Sequence, residues 1–217
     1  MERTVVNIKN KYAEAIRNRI RDKNTPSTIL KKSLEVLGNI VGQEIAMKYF
    51  LEEKTVNTPT GFDFTGDQLS SEQIVIVSTL DDYGCFGKGI ADSFLNVKRG
   101  YLDFAGIRGP EALTSPLRSI TLPDINNNDV DTLIIAKSVL ATGCTAISLT
   151  RKAIEKYWPQ RLIIATVFYS IKGYSEVQST CKTATIFTIG QPEELRSDGI
   201  LIPGFGDLDK RLNEVTY

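Results

Sequence analysis

A chain of 217 residues with 41% hydrophobic and 24% charged side chains has the composition of one globular domain with a full core. Its 26 basic and 26 acidic residues balance, which excludes a polyanion partner at the level of the whole chain. Histidine is absent, so His-based triads and His-ligated zinc sites are excluded as well.

In chain order, Lys9 to Asp22 reads as a charged amphipathic helix, too polar for a signal peptide. Pro26 ends the polar turn that follows, and Ser27 or Thr28 can cap a second helix with apolar face Leu30, Leu34, Leu37, Ile40, Val41 and Ile45. Lys54 to Phe64 looks like an edge strand and hairpin around Thr58-Pro59-Thr60-Gly61. Gln73 to Leu80 contains the β-branched run of a strand covered on both faces. It leads into a turn at Asp81 to Cys85 and a helix to about Leu95. Tyr101 to Ile107 reads as a strand, Arg108 to Pro123 as a long connection, and Asn126 to Asp129 as a polar turn.

The stretch from Ile134 to Ser148 carries the chemistry. A buried parallel strand, Leu133 to Ala136, ends near a loop of small and hydroxyl residues, Ala141-Thr142-Gly143-Cys144-Thr145. Helical apolar spacing resumes through Ala146, Leu149 and Ile154. Strand, small-residue loop and helix form a geometry that holds a phosphate on free N–H groups and the helix dipole. The same loop serves equally as a helix N-terminus capped by Thr142 or Thr145 with no ligand. Cys144 reads as a small loop residue, because no histidine is present to activate it as a nucleophile.

A strand at Arg161 to Phe168, a helix near Tyr174 to Thr180 and a strand at Thr183 to Thr188 follow. Trp158 reads as core or interface packing. Gly199 to Asp207 is punctuated by Gly and Pro and too irregular for a strand. Strands alternating with helices predict an α/β fold: an open, mostly parallel sheet flanked by helices, with N-terminal helices and a C-terminal hood, in a single domain over 1–217. Ligands of such sheets bind at the carboxyl ends of the strands, where the loops at Asp81, Arg108, Lys137 to Thr145 and Gly173 gather. The longest apolar run, Leu162 to Tyr169, is too short for a bilayer, and Cys85, Cys144 and Cys181 have no framework spacing. A cytoplasmic protein with no membrane and no nucleic-acid partner is expected.

Three segments resemble the uracil phosphoribosyltransferase family, of the type I phosphoribosyltransferase fold. Arg21-Asp22-Lys23-Asn24-Thr25 is similar to its opening turn, and Val139 to Ala146 to its phosphoribosyl pyrophosphate loop. Gly199 to Arg211, GILIPGFGDLDKR, is similar to the closing segment that recognises uracil largely through backbone groups. The resemblance implies transfer of ribose 5-phosphate from phosphoribosyl pyrophosphate to uracil, with magnesium, giving UMP in pyrimidine salvage. By the same resemblance Ala141, Thr142, Gly143, Cys144 and Thr145 hold the 5′-phosphate, and Leu201, Gly206 and Leu208 contact uracil. Asp207 falls near the ribose and pyrophosphate as the catalytic candidate, and Arg108 near a pyrophosphate oxygen. No residue is assigned as a metal ligand, and magnesium is expected only with transfer activity. The family's habit implies a homo-oligomer or a partner paralogue.

The departures lie in the charges. Lys137 stands where the family carries an acidic residue that holds the ribose hydroxyls, and Asp81 where it carries a pyrophosphate-clamping arginine. Lys88 stands where it carries an aspartate. A cation cannot accept a hydroxyl hydrogen bond, and an anion repels pyrophosphate. Lys137 and Asp81 then read either as solvated loop charges or as part of an ion pair inside the old site, with Lys137 in salt-bridge reach of Asp81 or Asp82. Losing one preorganised electrostatic contact costs about 10²–10³ in rate, so transfer is expected to be weak or lost. The alternative is a non-catalytic paralogue that binds a nucleotide or phosphate as a sensor or partner subunit.

Overall fold

The computed structural model describes residues 5–213. Two N-terminal helices follow strand β1 (Val5–Ile8): α1 (Lys11–Arg21) and α2 (Ser27–Tyr49). The side chain of Asn10 caps α1 by accepting from the Ala13 amide at 3.0 Å. A hairpin of β2 (Leu51–Asn57) and β3 (Asp63–Leu69) leads to β4 (Ile74–Thr79), the short helices α3 (Leu80–Tyr83) and α4 (Phe86–Ala91), and β5 (Val97–Asp103). After a 3₁₀ turn at Gly109–Leu113 come β6 (Ser119–Thr121), β7 (Asp129–Ala136), β8 (Val139–Leu140), α5 (Cys144–Lys156) and β9 (Trp158–Ala165). The chain continues through β10 (Phe168–Tyr169), α6 (Ile171–Thr180), β11 (Thr185–Ile189), β12 (Glu194–Leu195), β13 (Leu201–Ile202) and α7 (Leu208–Asn213).

Among the described residues the main sheet has seven strands in the order β1-β11-β9-β7-β4-β5-β6, parallel throughout except for the antiparallel β6 edge. The runs Ile74 to Thr79 and Thr132 to Ala136 are buried on both faces because helices cover both. Strand alternation divides the core. Ile76, Ile134 and Ile163 pack with α1, α2 and α4, while Val77, Ile135 and Ile164 pack with α5 and Tyr157. Neighbouring strands β4 and β7 run onward to opposite sides of the sheet, which opens a crevice at their carboxyl ends. Asp81, Asp82 and Lys137 follow directly at those ends.

Several local expectations change. Ser27 is the first helical residue of α2 and Pro26 takes the cap position, its carbonyl accepting from the Leu30 amide at 2.9 Å. Gly143 takes that position in α5, so neither Thr142 nor Thr145 caps it. Ile154 is 44% exposed, because Ala153 turns toward the sheet instead. Trp158 opens β9 at the sheet's edge of solvent and is 66% exposed, so it is not core. The hairpin is longer than read and pairs only with itself among the described residues. The third strand ends at Asp103, short of Ile107, because the chain turns at Ala105 and Gly106, both at positive φ. Part of the long connection becomes β6, and part of the Gly/Pro-rich closing segment becomes β13, paired with β12. The single-domain reading of 1–217 also covers 1–4 and 214–217, which lie outside the described residues.

Candidate functional site

The small-residue loop is shaped by two interlocked glycines. Gly143 sits at φ 81°, and a Cβ on it would lie 2.6 Å from the Gly173 carbonyl oxygen of α6. A Cβ on Gly173 would run into the carbonyls of Leu140 and Ala141. Ser170 fastens the same contact: its hydroxyl donates to the Ala141 carbonyl at 2.6 Å and accepts from the Gly173 amide at 2.8 Å. The amides of Thr142 to Thr145 have no acceptor among the described residues. They lie at the N-terminus of the thirteen-residue helix α5. Such a terminus favours an anion.

Beside the loop, charge is arranged differently. Lys137 Nζ lies 2.6 Å from Asp82 Oδ2, with the Lys137 side chain 12% exposed and that of Asp82 2%. The same oxygen accepts from the Thr79 hydroxyl at 3.1 Å and from the Ser138 amide at 3.3 Å. Burial works most strongly against the Lys137 charge. The carboxylates of Asp82, Asp209 and Asp81 outweigh it and hold the ammonium above the usual lysine range. Of the two carboxylates open to Lys137 by sequence, Asp82 is the partner, while Asp81 forms no ion pair among the described residues. Lys88, the third reversed charge, is bonded to Glu35 at 2.8 Å and Asp92 at 2.7 Å. Burial pushes the nearby Cys85 thiol up to about 12, with Asp82 adding, so this cysteine is inert.

The closing segment folds over this region. Its inner end is anchored by Glu193, which accepts from Arg21 at 2.6 Å, Arg17 at 3.3 Å and the Gly204 amide at 2.9 Å. Arg211 donates to the carbonyls of Ile20 at 2.7 Å and Phe205 at 2.6 Å, which fixes α7 against α1. The Phe205 ring packs on Phe168 with centroids 4.3 Å apart. At the outer end, Arg108 Nη2 meets Asp207 at 2.9 Å and Asp209 at 2.7 Å. Burial opposes the Asp207 charge, but the Lys210 amide and Arg108 hold its carboxyl below the usual range. Burial pushes the Asp209 carboxyl up, Asp81 and Asp82 adding while Lys137 and Arg108 oppose.

These parts enclose a cleft of about 590 Å³. Ala141, Thr142, Gly143 and Thr145 line it from one side, and Leu201, Gly206, Asp207 and Leu208 from the closing segment. Arg108, Asp81 and Lys137 line it too. Cys144 is not among the lining residues; it is the first residue of α5, and its amide belongs to the same unpartnered run as those of Thr142, Gly143 and Thr145. Sequence reasoning missed Asp103, Lys172 and Asp198 on the wall. Asp209 stood within the closing segment Gly199 to Arg211, with no role assigned to it. Lys172 alone had a signal, because it precedes Gly173, whose loop was placed at the cleft.

Among the described residues this wall offers no cage of protein ligands for a metal ion; magnesium commonly takes one or two carboxylates together with substrate phosphates and water. Asp207 and Asp209 already face Arg108, and no three acidic or cysteine side chains converge among the described residues. Among those residues no helix is long and apolar enough to cross a membrane.

Fold and cleft together define a parallel α/β protein of the doubly wound class, whose site lies at the topological switch between β4 and β7. The family model for uracil phosphoribosyltransferase matches residues 7–214. The chain belongs to that family. It is 29% identical over 205 residues to the uracil phosphoribosyltransferase of Pyrobaculum arsenaticum, covering 92% of this chain and 94% of that one. To the uracil phosphoribosyltransferase of Haloarcula marismortui it is 30% identical, over 91% and 90% of the two chains. A solved protein of Aquifex aeolicus superposes with a TM-score of 0.81 at 27% identity, over 97% of this chain and 98% of its own.

Proposed function

We propose that this chain binds a uracil nucleotide in the cleft and that phosphoribosyl transfer by it is very weak or lost. The observation that carries the reading is the buried contact of Lys137 with Asp82 at 2.6 Å. By the family resemblance this position holds the acceptor for the ribose hydroxyls, and an ammonium group donates only. Its fixation by Asp82 leaves no room to exchange roles. The 5′-phosphate falls to the amides of Thr142 to Thr145, which have no internal acceptor, and the uracil ring to Leu201, Gly206 and Leu208. Asp207, the catalytic candidate, faces Arg108 rather than an open ribose site. An open loop beside this occupied end favours a second reading, in which the chain is a non-catalytic sensor or partner subunit.

The test has two arms. UMP should raise the melting temperature, because a ligand that binds only the native state stabilises it. Formation of UMP from uracil and phosphoribosyl pyrophosphate, with magnesium, should be barely above background. Robust turnover that Asp207→Ala abolishes overturns the loss of transfer. A melting temperature unmoved by UMP, uracil and phosphate overturns the ligand.

A further inference from the structure

We propose that Asp209 is a specificity-determining residue which, by holding Arg108, keeps pyrophosphate-bearing ligands out and leaves the cleft to monophosphates. The inference rests on the binding reading above and adds the reason for its selectivity. Arg108 lies between two carboxylates, both meeting its Nη2 atom, and of the two only Asp207 has a second cation, Lys210, within 4 Å among the described residues. The partners differ in how they are held. Asp209 lies in the first turn of α7, which Leu208 and Leu212 bury in the core and Arg211 ties to the Ile20 carbonyl. Arg108 lies on an exposed connection, ahead of the 3₁₀ turn at Gly109–Leu113. Any anion that recruits the guanidinium must therefore draw Arg108 away from a carboxylate that stays in place.

The surroundings add to the exclusion. Asp81 and the Asp82–Lys137 pair stand along the same wall and act on Arg108, Asp209 and Lys137 electrostatically. Asp81, Asp207 and Asp209 thus line the cleft beside Arg108 where a second phosphate group would lie, and the Lys137 charge there is already met by Asp82. Like charges brought together in a half-enclosed cleft repel strongly. The loop from Thr142 to Thr145 carries no acidic side chain, and Lys172 is the charged residue beside it. One phosphate monoester meets amides there. A pyrophosphate must meet Asp209.

The experiment is titration calorimetry with inorganic pyrophosphate and with UMP, in magnesium-free buffer, on three full-length proteins: wild type, Asp209→Asn, and Asp209→Asn with Arg108→Ala. Pyrophosphate is expected to bind Asp209→Asn about tenfold or more tightly than wild type, a gain of about 1.4 kcal/mol. UMP affinity is expected to stay within about threefold, and the double variant to return pyrophosphate to the wild-type level. Unchanged pyrophosphate affinity in Asp209→Asn, or a gain that survives loss of Arg108, overturns the proposal. Asp209→Ser makes the same comparison where Asp209→Asn lacks a cooperative melt. Absence of UMP binding in every protein overturns the functional reading alone, since the pyrophosphate ratio still decides the role of Asp209.

Discussion

The closing segment is held by arginine–carboxylate contacts at both ends, and the two ends differ in solvent. At the inner end Glu193 is 3% exposed and serves Arg17, Arg21 and the Gly204 amide. At the outer end Arg108 is 48% exposed and its partners Asp207 and Asp209 are 30% and 26% exposed. A buried pair cannot be broken singly without stranding a charge, whereas an exposed pair is readily replaced by water. The inner contact therefore belongs to the architecture, and the outer one is where the proposed selectivity acts.

Mutations test that division in order of severity. Glu193→Ala should cost about 3–5 kcal/mol in denaturant unfolding, since two arginines lose their common partner. A cost below about 1 kcal/mol would erase the distinction between the ends. Lys137→Met comes next, at about 3 kcal/mol, because Asp82 keeps Thr79 and the Ser138 amide but loses its cation. Adding Asp82→Asn should recover part of the loss, with a coupling of about 0.5–3 kcal/mol in a double-mutant cycle. Strict additivity would mean the two groups do not act as a pair.

Arg108→Ala should alter stability by no more than about 1 kcal/mol while changing anion binding. A loss as large as that of Glu193→Ala would make the outer contact structural. The smallest effect is in acid. The folded-state pKa of Asp207 is lowered, so its contribution is present above its ordinary value near 3.8 and fades as pH falls through the lower folded value. The raised pKa of Asp209 acts in the opposite sense, because the folded state takes up that proton first. Asp209→Asn removes this opposing slope, so melting temperature should rise more steeply with pH between about 3 and 5 in the variant. Parallel curves would show that Asp209 titrates as it does in the unfolded chain.

The sheet was legible because its central strands carry apolar runs with one meaning. Ile-Val-Ile-Val in β4 and Leu-Ile-Ile-Ala in β7 are strands buried on both faces and nothing else. The small-residue loop before α5 was legible for a local reason, since its small residues and glycine are consecutive. The charged wall was not. Lys137 could be assigned to Asp81 or Asp82, and only the short helix α3 decides between them, by turning Asp82 inward and Asp81 toward the cleft. The partnership of Arg108 with Asp209 joins two loops far apart in sequence, so no spacing announces it. Ile154 misled because an apolar residue at the edge of a helix's buried face carries the same periodic signal as that face.

The interlocking of Gly143 with Gly173 has a kinetic consequence. A loop that already rests on a neighbouring helix loses little disorder when a ligand arrives, so capture need not wait for the backbone to organise. Association at the phosphate should therefore proceed at the rate of a rigid docking surface, and differences in residence time among ligands should arise in dissociation. Both glycines are bound to that behaviour jointly. A side chain on either would push the loop from α6, and the binding trace would acquire a slow, concentration-independent phase.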